Sequence, residues 1–193
     1  MFITINSDNW LQQLEQQDWT LLNIDKTYCS NIKKYITQLD QDNKFKPAAL
    51  AHEQNNLIRN DRTYWLSSQT HHILERNILT DLTKMQDALR NYFRVGLTHF
   101  EAHFAIFDKG HFYHKHTDQK QNDNKRFFSF VLYLNEEWQD QDGGELVIYK
   151  DDHHLLKLKP EIGTMIIFKS ELIHEVLTAH KQRASLTGWM RTS

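Results

Sequence analysis

Phe127-Phe128-Ser129-Phe130-Val131-Leu132-Tyr133-Leu134 is the stretch whose reading decides the fold. It is apolar at both odd and even positions. As a strand it must therefore be covered on both faces and lie inside a sheet. Shorter apolar or alternating runs surround it, at residues 100–107 before it and 145–149, 155–158, 165–168 and 183–190 after it. Asp142-Gly143-Gly144 is a turn signal among them. Upstream, the apolar period lengthens to that of helices. Residues 9–17 place Trp10, Leu11 and Leu14 on one face, with Ser7 or Asp8 positioned to cap it. Residues 19–24 read as a short strand. Residues 29–39 carry Ile32, Ile36 and Leu39. The longest pattern, 71–93, carries a core stripe of Ile78, Leu82, Met85 and Leu89, closed by Gly96. Strands in one half and helices in the other predict a mostly β fold with N-terminal helices, a double-sheet jelly roll buttressed by helices.

No internal repeat or low-complexity linker divides the chain. Its 193 residues fit one domain, 1–193, with 1–97 as helical support and substrate loop and 98–193 as the jelly-roll core. Residues 40–66 are polar, contain Pro47, and hold Arg59, Asp61, Arg62 and Trp65. A connection of that length is expected to be a loop that closes over a substrate.

Chemistry concentrates at His116-Thr117-Asp118, followed at distance by His174 and Arg183. At a strand end, residues i and i+2 project to one side, so His116 and Asp118 can share a metal. His174 would arrive from another strand. Two imidazoles and one carboxylate on one face of an ion leave open positions, the arrangement of non-haem Fe(II) oxygenases. The nearby arginine suits a cosubstrate with a distant carboxylate, because its planar fork binds carboxylates through two donors. 2-Oxoglutarate has that shape. The 12 histidines are many for this length. His71-His72 and His153-His154 read as surface pairs. His111, His114 and His116 fit no common zinc spacing and have no cysteine beside them, so one ligand, His116, is taken from that cluster.

At these residues the sequence resembles the 2-oxoglutarate- and iron-dependent dioxygenases of the prolyl hydroxylase type, including the hypoxia-inducible-factor prolyl hydroxylases and their bacterial relatives. The resemblance runs from about Leu57 to the C-terminus. It rests on Ile58-Arg59-Asn60-Asp61, Phe112-Tyr113-His114-Lys115-His116-Thr117-Asp118, Leu132-Tyr133-Leu134-Asn135, Gly143-Gly144-Glu145-Leu146, His174-Glu175-Val176 and Arg183-Ala184-Ser185-Leu186-Thr187-Gly188-Trp189. It implies the double-stranded β-helix fold and Fe(II), 2-oxoglutarate and O2, with ascorbate as a reductant. By the same resemblance His116, Asp118 and His174 hold the metal and Arg183, Tyr133 and Thr187 serve the cosubstrate. Arg59, Asp61, Tyr113, Arg126 and Trp189 would surround a prolyl residue of a protein substrate. Bacterial look-alikes act on elongation factor Tu, which makes a translation factor the candidate partner. A carboxylate at Asp118 favours hydroxylation over halogenation. The chain departs from its relatives at Phe107, where a tyrosine is common, and at Asn60, where a glycine is.

The remaining features exclude some classes. A formal charge of −2 gives no broad basic surface, which disfavours nucleic acid. The single cysteine, Cys29, allows no internal disulfide and fits a reducing compartment. No signal peptide or membrane span is visible, so the cytoplasm is expected, with a monomer or weak dimer. Two rival readings stand beside the first. One is the same chemistry on a small molecule or another side chain; the other is a non-catalytic jelly-roll module that holds metal for structure.

Overall fold

The structure is a computed structural model that describes residues 9–48, 59–119, 124–150 and 153–193. Its elements, in chain order, are α1 (Trp10–Gln17), β1 (Trp19–Asn23), α2 (Lys26–Gln41), β2 (Lys46–Pro47), β3 (Arg62–Trp65) and α3 (Ile73–Phe93). There follow β4 (Leu97–Phe107), β5 (Tyr113–His116), β6 (Arg126–Tyr133), β7 (Leu146–Lys150), β8 (His153–Leu158), β9 (Thr164–Lys169), β10 (Ile173–Val176) and β11 (Arg183–Thr192). Antiparallel pairing joins them into two sheets, in the orders β1-β9-β6-β11-β4-β3-β2 and β5-β10-β7-β8. This is the expected jelly roll.

The apolar run that opened the sequence reading becomes β6, three strands in from one edge of the larger sheet. Its two faces have different duties. Phe128, Phe130 and Leu132 point to the helices and pack with Ile32, Ile36, Ile78, Leu82 and Leu89. Val131 and Tyr133 point the other way, into the space between the sheets, with Leu146, Ile148 and Phe168. β11 divides by the same parity. Ala184, Leu186 and Met190 join the helix-side core, while Arg183, Ser185, Thr187 and Trp189 line the interior cavity. Period-two alternation thus sorts structural from chemical side chains along both strands.

Three expectations need correction. The N-cap of α1 is Asn9, whose side chain makes no capping bond; Ser7 and Asp8 lie outside the described residues. α3 ends at Arg94, which takes the left-handed conformation (φ 54°, ψ 35°). That reversal turns the chain two residues before Gly96 and lets Val95 and Leu97 reach the core. Third, residues 40–66 are not one loop. α2 runs to Gln41, and β3 pairs with β4 from Arg62↔Ile106 to Trp65↔His103. Arg62 holds that strand down, bonding the Asp40 carboxylate and, through Nε, Asp108 at 2.8 Å. The stretch 49–58, where a closing loop was expected, lies outside the described residues.

Gly188 marks the tightest crossing of β4 and β11. A Cβ there would sit 2.0 Å from the Glu101 carbonyl oxygen and 2.7 Å from the Phe130 ring. Gly188→Ala must push the two strands apart. We expect destabilisation of about 1–3 kcal/mol, the range for overpacking a filled core, measured as a lower urea midpoint at unchanged slope. An unchanged midpoint would mean that β11 shifts freely at this point.

Candidate active site

The site begins with one register. β10 lies between β5 and β7, and His174 stands directly across from His116. Two strand histidines so paired share a face, and their ring centroids are 4.2 Å apart. Asp118 follows β5 by two residues, with its N–H donating to the Ser170 carbonyl at 3.1 Å. Its Oδ1 lies 3.7 Å from His116 Nε2 and its Oδ2 3.5 Å from His174 Nε2. One donor atom from each residue falls within 4.8 Å of the others. Donors bound to one ion at about 2 Å are roughly 3–4 Å apart; both His–Asp separations fall in that range, so a small inward turn of the imidazoles lets the set hold a divalent metal.

The imidazoles are turned the right way for that task. His116 Nδ1 lies 2.7 Å from the His114 carbonyl, and His174 Nδ1 lies 3.0 Å from the Leu172 carbonyl. A carbonyl only accepts, so each Nδ1 carries the hydrogen and each Nε2 lone pair faces Asp118. Burial, reinforced by the neighbouring His174, pushes His116 down to about 3, which keeps the ring in its neutral, ligating form. Burial opposes ionisation of Asp118. His174, His116 and the Ser129 hydroxyl outweigh it and hold the carboxyl below its ordinary value. The Ser129 hydroxyl donates to Asp118 Oδ2 at 2.6 Å and lies 2.8 Å from Ser170 Oγ. The sequence reading passed over Ser129. Its signal was there: a hydroxyl in an apolar strand, on the same parity as Tyr133.

Arg183 sits in the same cavity, 2% exposed, facing Phe107 across the β4–β11 register. No carboxylate stands within ion-pair distance of it among the described residues. Its Nε is buried without a hydrogen-bond partner among the described residues, and the buried Tyr133 hydroxyl meets the guanidinium but donates to no acceptor there. Burial lowers the Arg183 pKa and raises that of Tyr133 to about 12, so the pair presents a cation beside a protonated phenol. Those two unused donors are what a buried carboxylate requires. Gly144, read from the sequence as a turn residue, lies against Arg183; a Cβ there would stand 3.1 Å from Arg183 Cδ. Phe107 carries no hydroxyl, so no third donor comes from that wall. Thr187 lines the cavity while its hydroxyl donates to the Phe130 carbonyl at 3.0 Å.

The other predicted residues fall around the opening. Arg59 and Asp61 form a two-pronged ion pair with bonds of 2.6 and 2.5 Å, and the guanidinium lies 4.5 Å from the Tyr113 ring centroid. Arg59, Asp61, Tyr113 and Trp189 line the cavity. Arg126 is not among the lining residues. It lies 3.5 Å over the Trp189 ring and bonds Glu101 at 3.0 Å. Asn60 has a structural duty, accepting the Phe112 N–H at 2.8 Å and tying the segment to the approach of β5. His103, which no sequence signal marked, is buried among the lining residues and packs against Trp65, ring centroids 4.5 Å apart and tilted.

Known proteins share this architecture. The model of the 2OG-Fe(II) oxygenase superfamily matches residues 102–191. A prolyl-4-hydroxylase from Pseudomonas putida superposes with a TM-score of 0.86 and 30% identity, over 95% of this chain and 97% of its own. A prolyl hydroxylase from Trichoplax adhaerens, solved with a hypoxia-inducible-factor oxygen degradation domain peptide fragment, gives 0.81 and 23%, over 94% and 87%. A prolyl 4-hydroxylase structure from Phytophthora capsici gives 0.74 and 21%, over 97% of this chain and 63% of its own.

Ser129 supplies the test of the metal set. Ser129→Ala leaves His116, Asp118 and His174 in place but removes the bond that orients the carboxylate. Divalent metal affinity should fall roughly 10–100-fold, the usual cost of losing such a partner, with the unfolding midpoint little changed. Titration with Mn(II) measures it. Unchanged affinity would show that Asp118 needs no orienting partner.

Proposed function

The chain belongs to the 2-oxoglutarate- and iron(II)-dependent oxygenases of the prolyl hydroxylase type, and we propose that it hydroxylates a prolyl residue in a protein substrate. The enzyme uses Fe(II), 2-oxoglutarate and O2. We assign His116, Asp118 and His174 as the iron ligands, supported by the Nε2 lone pairs aimed at Asp118. Arg183 and Tyr133 take the far carboxylate of 2-oxoglutarate. The single observation that carries this assignment is a buried arginine, its Nε without a hydrogen-bond partner among the described residues, in the cavity that holds the three ligands, with the buried Tyr133 phenol beside its guanidinium.

Bound iron supplies oxygen activation coupled to the decarboxylation of 2-oxoglutarate to succinate and carbon dioxide. The chain supplies everything else. Arg183 fixes the cosubstrate by charge and Tyr133 by one hydroxyl donor. Thr187, on the inward face of β11 two residues past Ser185, lines the cavity with its hydroxyl held by the Phe130 carbonyl. Phe168 and Val131 keep that space dry. Arg59, clamped by Asp61 and stacked on Tyr113, forms one wall for the substrate, and Trp189, backed by Arg126, forms another. Asp61 acts on Arg59 and is a positioning residue. With its side chain fully buried, Asp61→Ala leaves Arg59 unpaired and costs stability as well as activity.

A prolyl substrate is favoured by the Pseudomonas putida prolyl-4-hydroxylase, which matches nearly end to end at 30% identity. A polypeptide, rather than a free amino acid, is favoured by the peptide bound to the Trichoplax adhaerens relative. A translation factor such as elongation factor Tu is the first substrate to test. No helix among the described residues is long and apolar enough to cross a membrane.

Incubation with Fe(II), 2-oxoglutarate, ascorbate and a bacterial translation factor should add one oxygen atom to a proline, with stoichiometric succinate. Succinate release with no protein or peptide modified, but stimulated by a small molecule, would overturn the polypeptide substrate. Tyr133→Phe should weaken 2-oxoglutarate binding by about 1.5–3 kcal/mol, the value of a hydrogen bond to a charged group. An unchanged affinity would remove Tyr133 from the cosubstrate site.

A further inference from the structure

A second groove, of about 660 Å3, opens beside the iron cavity between the end of β3, the face of α3 and the edge of β4. Its lining includes Trp65, Leu79, Thr83, Gln86, Phe100 and Glu101. Two independent features mark it. Gln86 is 6% exposed, and its side-chain amide nitrogen has no hydrogen-bond partner among the described residues. A buried amide without a partner costs free energy unless something else supplies an acceptor.

The second feature is a vacated sheet edge. Leu66 N–H donates to the Ala102 carbonyl at 3.0 Å, so the polar groups of Ala102 face the β3 side. By the two-residue period, those of Phe100 and Thr98 face the same side. The chain turns away after Leu66, closing with Thr70 N–H on the Ser67 carbonyl at 3.0 Å. The β3–β4 pairing ends at Trp65↔His103. Among the described residues, no strand covers β4 on this side over residues 98–101.

The groove adjoins the iron site. Trp65, 52% exposed, lines the groove and packs against His103 and Trp189, both of which line the iron cavity. Glu101, on the groove's other wall, holds the Arg126 that stacks on Trp189. Trp65, His103 and Trp189 thus form an aromatic wall shared by the two spaces. We propose that the groove receives an extended flank of the polypeptide substrate, which adds as a strand to β4 at Thr98 and Phe100 and gives a main-chain carbonyl to Gln86.

The chemistry selects that occupant. An unpaired strand edge recognises backbone rather than any one side chain, and it requires an extended polypeptide. A free amino acid is too short to reach from the iron cavity past Trp65. The inference rests on the polypeptide reading above, and it assigns affinity to residues well outside the reacting centre.

The probe is a pool of long synthetic peptides, each with a single central proline. Those that gain an oxygen atom are kept, and their binding to enzyme loaded with Mn(II) and 2-oxoglutarate is followed by tryptophan fluorescence. Truncating one flank should weaken binding at least tenfold, while truncating the other does not. N-methylation along the sensitive flank should weaken binding at alternate positions only, by roughly two- to tenfold per lost hydrogen bond. Gln86→Leu should weaken the long peptide by a similar factor and leave the truncated peptide and 2-oxoglutarate unaffected. Equal losses for long and truncated peptides, or no flank dependence in hydroxylated peptides, would overturn the groove alone. If no peptide in the pool is hydroxylated, the polypeptide reading falls and the groove loses its occupant. A peptide-independent dimer abolished by Gln86→Leu would assign the edge to a second copy of this chain.

Discussion

A buried guanidinium with no carboxylate in ion-pair contact among the described residues is the constraint on which the rest of this structure depends. Arg183 is 2% exposed, set between the rings of Phe107 and Tyr133 at 5.0 and 5.1 Å from its central carbon. Burying an unpaired charge opposes folding. The jelly roll tolerates it because β11 is held along its length by β4 and β6, and its other face is anchored in the helix-side core. A cation so placed is a preorganised receptor for an anion. In the proposed assignment its cost is offset when 2-oxoglutarate arrives, and little has to rearrange at that moment.

The same strands that carry this charge also fix where the metal site can be. β6 presents Tyr133 to Arg183 and, four residues earlier on the same face, Ser129 to Asp118. β11 presents Arg183 at one end and Trp189 at the other. The separation of cosubstrate anchor and metal ligands is therefore set by strand rise, about 3.3 Å per residue, rather than by any loop. The histidines obey the same economy, since one cross-strand register brings His116 and His174 together.

Much of this was legible in the sequence because it depends on parity and order. The double-faced apolar run fixed β6 as an inner strand, and the alternation of Arg183, Ser185, Thr187 and Trp189 pointed them inward together. Other features were not legible, for stated reasons. Residues 62–65 read as loop because a four-residue strand with arginine and tyrosine has no clear alternation; its place comes from Arg62 bonding Asp40 and Asp108 across the fold. The end of α3 was set by a left-handed arginine, which no propensity favours over the nearby glycine. The partners of Asp118 and the ring contacts of His103 arise from contacts distant in sequence. Gly144 gave a correct turn signal, but its closeness to Arg183 depends on the return of β11.

The most direct test replaces Arg183 by methionine, which keeps an unbranched apolar side chain and removes the charge. Thermal unfolding is recorded with Mn(II), with and without saturating 2-oxoglutarate. Removing an uncompensated buried charge should leave the cosubstrate-free variant as stable as the wild type or more so. The rise in melting temperature that 2-oxoglutarate gives the wild type should vanish, since that rise follows from affinity for the folded state. A variant that unfolds earlier without cosubstrate, yet keeps the full 2-oxoglutarate-induced rise, would contradict the account and place the cosubstrate's anchor elsewhere.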